Sequence, residues 1–220
     1  SAEGSAQVTI GETVVLAGVK MEVMKPYPDT PGEGSLMVNV ELLPLASPAF
    51  EAGPPSIQAI ELARVIDRGI RESKAVDQEK LCIREGELVW MIVIDVCVIN
   101  DAGNLFDAGA LAALAALTRT RFPKLEDDKI DYKTLTDATI PLLKRPIGVT
   151  VYKIADHLIV DPTYEEDEVY DSRLTVTSTE EGVVCALQKG GESTLTIKDI
   201  DQMLDIGIRK AKELAKVLED

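Results

Sequence analysis

Histidine is nearly missing from this chain: His157 is the only one among 220 residues. Ser-His-Asp and Cys-His catalysis both need an imidazole held beside the nucleophile, so they have little to build on. His157 follows Asp156 in what reads as a short surface turn. Cysteine is also scarce. Cys82, Cys97 and Cys185 are odd in number, far apart and set in apolar strand-like segments. That argues against a disulfide framework or a zinc site and for buried, reduced thiols in a cytoplasmic protein. Aromatics make up only 4% of the chain, so the core must be aliphatic. No apolar run reaches the ~18 residues of a membrane span. The longest, Leu88 to Ile99, is broken by Asp95, and no signal peptide is visible. Gly103 and Gly109 have the wrong spacing for a Walker or Rossmann motif, so no cofactor is expected.

Positive charge is the other deficit. Lys and Arg number 23 against 38 Asp and Glu, a formal net charge of −15. A free-standing nucleic-acid binder gains affinity by releasing phosphate counterions to a basic surface. This chain fits that role only if its cations are concentrated in one place or supplied by a partner. An anionic membrane surface is disfavoured for the same reason. Disorder is disfavoured by 45% hydrophobic content with the charges spread along the chain.

The residues that are present suggest two α+β units. Gln7 to Ile10 and Thr13 to Val23 alternate as strands around a turn at Gly11-Glu12. Leu36 to Leu43 is a further strand between two Pro-rich loops. Ser56 can cap a helix over Ile57 to Ser73. Its apolar stripe is Ala59, Leu62, Ala63, Ile66 and Ile70, and Arg64, Arg68 and Arg71 form a row on the opposite side. Such a row suits phosphates or carboxylates, because guanidinium offers forked donors and keeps its charge. It also suits a solvated face, with Glu61, Asp67 and Glu72 close enough to neutralise part of it.

Leu81 to Ile83 and Leu88 to Asn100 read as a hairpin. The second strand is apolar on both sides, so a central strand covered on both faces is expected, with a partner required for Asp95. Asp101 to Asn104 is a turn, and Leu105 to Leu117 an Ala/Leu-rich helix. Thr118 to Arg145 reads as a mostly polar connection, with a domain boundary near Lys144. Strands are then expected at Ile147–Ile154, His157–Val160, Leu174–Thr177 and Val183–Leu187. A helix over Ile197 to Leu218 follows, with a capping box at Thr196 and Asp199 and a stripe of Ile200, Leu204, Ile208, Ala211, Leu214, Ala215 and Leu218. The acidic run Asp161 to Glu168, with Asp171, offers oxygen ligands of the kind Mg²⁺ takes. It lacks EF-hand spacing and reads as a solvated loop.

Three blocks, IELARVIDRGIRES, EGELVWMIVIDVCVINDAGN and LIVDPTYEEDE, together resemble the RNase PH superfamily. GSLMVNVELLPLASPAFEAGPP and AIELARVIDRGIRESKAVD resemble, within it, the archaeal exosome ring subunit that has no catalytic centre of its own. The resemblance runs from about Ala2 to Leu218. It implies an RNase PH fold, α+β in class, with residues 1–144 like domain 2 of ribosomal protein S5 and residues 145–220 a smaller α+β domain. It also implies that an N-terminal helix and first strand of the family precede this sequence. The partners implied are a catalytic RNase PH-fold subunit in an alternating hexameric ring, RNA-binding cap subunits and single-stranded RNA. In active relatives, phosphate attacks the terminal 3′ phosphodiester and releases a nucleoside diphosphate.

The resemblance also implies which residues matter. Active relatives carry two aspartates six positions apart for metal and general-acid chemistry; here those positions are Asp167 and Arg173. Arg neither accepts a metal nor exchanges a proton near neutral pH. The phosphate-holding turn of active relatives is Asp-Ala-Gly, then a hydroxyl residue and often Arg; here Asn104 and Leu105 follow Gly103. No catalytic residue is therefore expected, and Arg64, Arg68 and Arg71 are the candidates for RNA contact. The alternatives are an active phosphate-dependent exoribonuclease built on Asp167, or an acidic α+β scaffold unrelated to RNA.

Overall fold

In the computed structural model, which describes residues 2–218, the alternating N-terminal half builds a five-stranded sheet. Its strands are β1 (Gly4–Ile10), β2 (Thr13–Met24), β3 (Ser35–Leu42), β4 (Cys82–Arg84) and β5 (Leu88–Asn100). The order is β1-β2-β5-β3, with β4 paired to one end of β5. β3 runs parallel to β5, and the chain crosses over between them through α1 (Ile57–Glu72). The Ser56 hydroxyl accepts from the Ala59 N–H at 3.2 Å, as the cap requires. Val15, Ala17, Val19 and Met21 of β2 face the core with Ile92, Ile94, Val96 and Val98 of β5.

The other face of β5 is not covered as expected. Asp95 is exposed and accepts from the Asn39 amide at 2.9 Å. Leu16 and Met37 are exposed on the same side of neighbouring strands. Asp95 therefore marks an open sheet face rather than a buried acid. Cys97 lies on that face too, and all three cysteines are free thiols of intermediate burial, less enclosed than expected.

The expected polar connection after α2 (Leu105–Thr118) is in fact a hairpin, β6 (Arg121–Glu126) and β7 (Lys129–Thr139). Its turn, Asp127-Asp128, has φ of 47° and 63°, the left-handed pair of a tight hairpin turn. Most of the hairpin's side chains are exposed, so its sequence lacks an apolar alternation. Phe122 anchors it, packing on Trp90 at 5.4 Å between ring centroids.

The second sheet has the order β11-β10-β8-β9, all antiparallel, from β8 (Ile147–Ile154), β9 (His157–Val160), β10 (Ser172–Ser178) and β11 (Val184–Gly190). α1 and α2 lie between the two sheets. On one side α2 packs on β1, β2 and β5, and on the other on β8; α1 likewise reaches β3, β8 and β11. Every residue of α2 from Leu105 to Leu117 is buried except Ala110. A helix buried all round needs small residues where neighbours approach closely. A Cβ at Gly109 would lie 3.1 Å from Ile66, and one at Gly69 3.3 Å from Thr177.

α4 (Ile197–Ala215) covers the far side of the second sheet, and its capping box at Thr196 and Asp199 is present. Its buried row is Met203, Gly207 and Ala211, whereas Ile200 is exposed. The contact thus runs to one side of the expected stripe. Gly207 sets it: a Cβ there would lie 2.8 Å from Val176 of β10. Gly207→Ala gains about 1 kcal/mol of helix propensity, yet overpacking costs roughly 1–3 kcal/mol. The variant is expected to melt lower than the parent; a raised Tm would refute the close contact.

Asp107 of α2 ties the helix layer to the second sheet. Its Oδ1 accepts from the Thr150 N–H at 2.8 Å, just before the first pair of β8 with β9. Burial pushes this carboxyl from 3.8 up to about 7, and the hydrogen bonds with Thr150 and Asn104 only partly oppose it. A folded-state pKa above the unfolded value contributes stability that is full below about pH 4 and is lost as pH rises through about 7. Asp107→Asn keeps an acceptor oxygen and removes the titration. It is expected to gain on the parent by on the order of 1–3 kcal/mol between pH 4 and pH 8. Denaturant melts across that range check this; parallel stability curves would refute it.

Candidate functional site

β10 is buried at all seven positions. Leu174 and Val176 join the core beneath α4, while Arg173, Thr175 and Thr177 point to the helix layer. Arg173 is only 3% exposed, and its Nη2 forms an ion pair with Glu61 of α1 at 2.9 Å. Its guanidinium lies 4.0 Å over the Phe106 ring of α2, with Tyr170 at 5.9 Å. Gly190 on β11 makes the room: a Cβ there would sit 2.5 Å from the Arg173 Cζ. Arg173 Nη1 is buried without a hydrogen-bond partner among the described residues.

Asp167 ends α3 (Tyr164–Asp167), a short helix closed by a Thr163–Glu166 capping box. The fold brings Asp167, Arg173 and Tyr152 of β8 within electrostatic reach of one another. Burial raises the Asp167 carboxyl to about 6, while Tyr152 and Arg173 pull it back. Its contact with the buried Tyr152 hydroxyl falls short of full hydrogen-bond geometry. These residues do not fit a divalent cation. A guanidinium already supplies the positive charge, and its nitrogens are donors only. Among the described residues, no group of three or more His, Cys, Asp or Glu is placed to hold a metal.

The Asp101-Ala102-Gly103 turn is held from β2. Thr13 Oγ1 donates to the Gly103 carbonyl at 2.6 Å and accepts from the Ala102 N–H at 3.0 Å. The Asp101 carboxylate accepts from the Gly103 N–H at 3.1 Å. Asn104 takes a left-handed φ of 58° at the start of α2. Its side-chain amide donates to Asp161 at 2.9 Å, and Leu105 is buried in the core. Gly103, at φ +104°, lies so close to the chain at 162–164 that a Cβ would be 2.3 Å from the Pro162 carbonyl. Asn104 and Leu105 are thus spent on internal contacts. The pairings through Thr13, Glu61, Asp107 and Asp161 are all long-range, and no local sequence signal announces them.

The arginine row is divided. Arg71 makes a two-pronged ion pair with Asp67, at 3.0 and 2.7 Å, and also donates to the Leu36 carbonyl on β3 at 2.8 Å. Arg64 and Arg68 are exposed and have no ion pair or hydrogen bond among the described residues. Arg64 opens on a groove between α1 and the edge strand β3, lined also by Met37, Asn39, Ile60 and Asp67. Two unpaired guanidiniums on one exposed face are a local positive site on a protein of net charge −15.

Comparisons with known proteins point one way. Domain 1 of the 3′ exoribonuclease family, RNase PH, matches residues 1–123, and domain 2 matches residues 144–210. The Exosome complex component Rrp42 of Methanopyrus kandleri is 46% identical over 220 residues, covering 99% of this chain and 82% of that protein. The protein of the same name from Thermococcus gammatolerans is 50% identical over 225 residues, covering 99% and 81%. Among solved structures, a chain of the Archaeoglobus fulgidus exosome with RNA bound to the active site matches with a TM-score of 0.90. It is 47% identical, and the match covers 98% of this chain and 83% of that one. Rice Rrp46, at 16% identity and a TM-score of 0.71, shares the fold. Sequence along both sheets and the architecture they build agree: this chain belongs to the RNase PH family.

Proposed function

We propose that this chain is a ring subunit of an archaeal exosome with no catalytic centre of its own. It shapes the neighbouring catalytic RNase PH-fold subunit and lends Arg64 and Arg68 to single-stranded RNA. Arg173 is the observation that carries the reading: a buried, ion-paired guanidinium stands where an acid would be needed for metal and proton chemistry. The internal contacts of Asn104 and Leu105 point the same way for the phosphate. Charge-assisted contacts to phosphate oxygens hold a strand without reading its sequence, and two exposed arginines on one helix face suffice for that part. The alternating hexameric ring, the cap subunits and a cytoplasmic location belong to this same reading. No helix among the described residues is long and apolar enough to cross a membrane.

The purified chain alone is expected to show no phosphate-dependent RNA decay, and addition of the catalytic subunit to restore it. Arg64→Glu with Arg68→Glu in the assembled complex is expected to weaken RNA binding. It should also flatten the dependence of log affinity on log salt by about 1.4, at roughly 0.7 per phosphate contact on a single strand. Robust decay by the chain alone, or an unchanged salt slope, would overturn the respective half of the proposal.

A further inference from the structure

Arg64 and Arg68 are surrounded by acids on their own helix. Glu61 precedes Arg64 by three residues and Asp67 follows it by three, and side chains at that spacing on a helix are neighbours. Arg68 has Glu72 four residues on, which makes no ion pair with it among the described residues. On an isolated helix, either Glu61 or Asp67 could close on Arg64. In the folded protein neither does. Glu61 turns to Arg173 of β10, 2.9 Å away, and Asp67 turns to Arg71.

We infer that Arg173 and Arg71 act as counter-cations that draw Glu61 and Asp67 away from Arg64, leaving it unpaired for an RNA phosphate. This rests on the reading above that Arg64 meets RNA. The physical cause differs at the two ends. Arg173 is desolvated, and a buried cation without an anion is far costlier than an exposed one, so it outcompetes Arg64 for Glu61. Glu61, at 27% side-chain exposure, sits at the edge of the buried region and can serve either partner. Arg71 is held in place by the Leu36 carbonyl, and its fork takes both oxygens of Asp67. Arg71 thereby moves from candidate RNA contact to positioning residue. Arg173 gains a purpose beyond the loss of an acid: it links the second sheet to the charge state of α1.

The test uses the complete complex with its catalytic partner, in phosphate-free buffer so that RNA is bound and not degraded. The probe is a labelled single-stranded oligoribonucleotide titrated at several salt concentrations. Arg71→Gln is expected to weaken binding two- to five-fold at low salt and to reduce the salt slope by about 0.7. Adding Asp67→Asn to it should restore both. Arg173→Met should behave alike, with Glu61→Gln as its rescuing change. Full affinity and slope in Arg71→Gln and Arg173→Met would overturn the inference, and so would a loss that neutralising the acid fails to rescue. Should Arg173→Met fail to assemble, the Arg71→Gln and Asp67→Asn pair, both on the surface, decides. Arg64→Glu with Arg68→Glu runs alongside. If that variant binds normally, the RNA reading itself falls; if it binds poorly while the paired variants show no effect, only the present inference falls.

Discussion

The fold depends on one constraint: α1 and α2 are buried on two sides at once, between the two sheets. A layer in that position has little solvent face on which to place large or charged side chains: α2 has almost none and α1 one side. α2 answers with alanine, leucine and glycine, and its single acid, Asp107, is buried against Thr150 of the second sheet. α1 answers with Gly69 against Thr177 and keeps its charges to the one side that remains open. The second sheet meets this layer with Thr150, Tyr152, Arg173, Thr175 and Thr177, a largely polar surface whose hydroxyls pair with each other, as Thr150 and Thr175 do at 3.0 Å. Not every group there is satisfied: the Tyr152 hydroxyl and Arg173 Nη1 are buried without a hydrogen bond among the described residues.

Arg173 follows from that constraint. A guanidinium that faces the helix layer must find an anion and a flat surface, and Glu61 and Phe106 supply them. Gly190 must then remain glycine, because a side chain there would occupy the same space. This one guanidinium thus draws in residues from α1, α2 and β11. The result is a structural ion pair where the helix layer meets the second sheet. The Asp101-Ala102-Gly103 turn is likewise committed to internal contacts. It is hydrogen-bonded to Thr13, followed by Asn104, whose amide donates to Asp161, and covered at 162–164, so it fastens the start of α2.

Charge is distributed to the same effect. A net −15 opposes RNA at long range, but screening confines exposed charges to about 8 Å at physiological salt. The local balance at α1 depends instead on where four side chains pair. Of the acids in 161–168, Glu166 is held in the α3 capping box and Asp161 by the Asn104 amide.

Much of this molecule was determined by local sequence. Alternation places β1 and β2, Ser56 and Thr196 place two helix starts, and the aromatic-poor composition requires an aliphatic core. The hairpin at 121–139 is hidden in the sequence because its side chains are mostly exposed, and the open face of β5 is hidden because apolar residues on two faces do not say which face has a neighbour. The row of Arg64, Arg68 and Arg71 was visible from helical spacing alone. Its state was not. Whether each arginine is paired depends on Asp67, Leu36, Glu61 and Arg173, brought together from three separate stretches of chain. Spacing along a helix reports which side chains can meet, whereas burial decides which ions must pair, and burial exists only once the two sheets have closed on the helices.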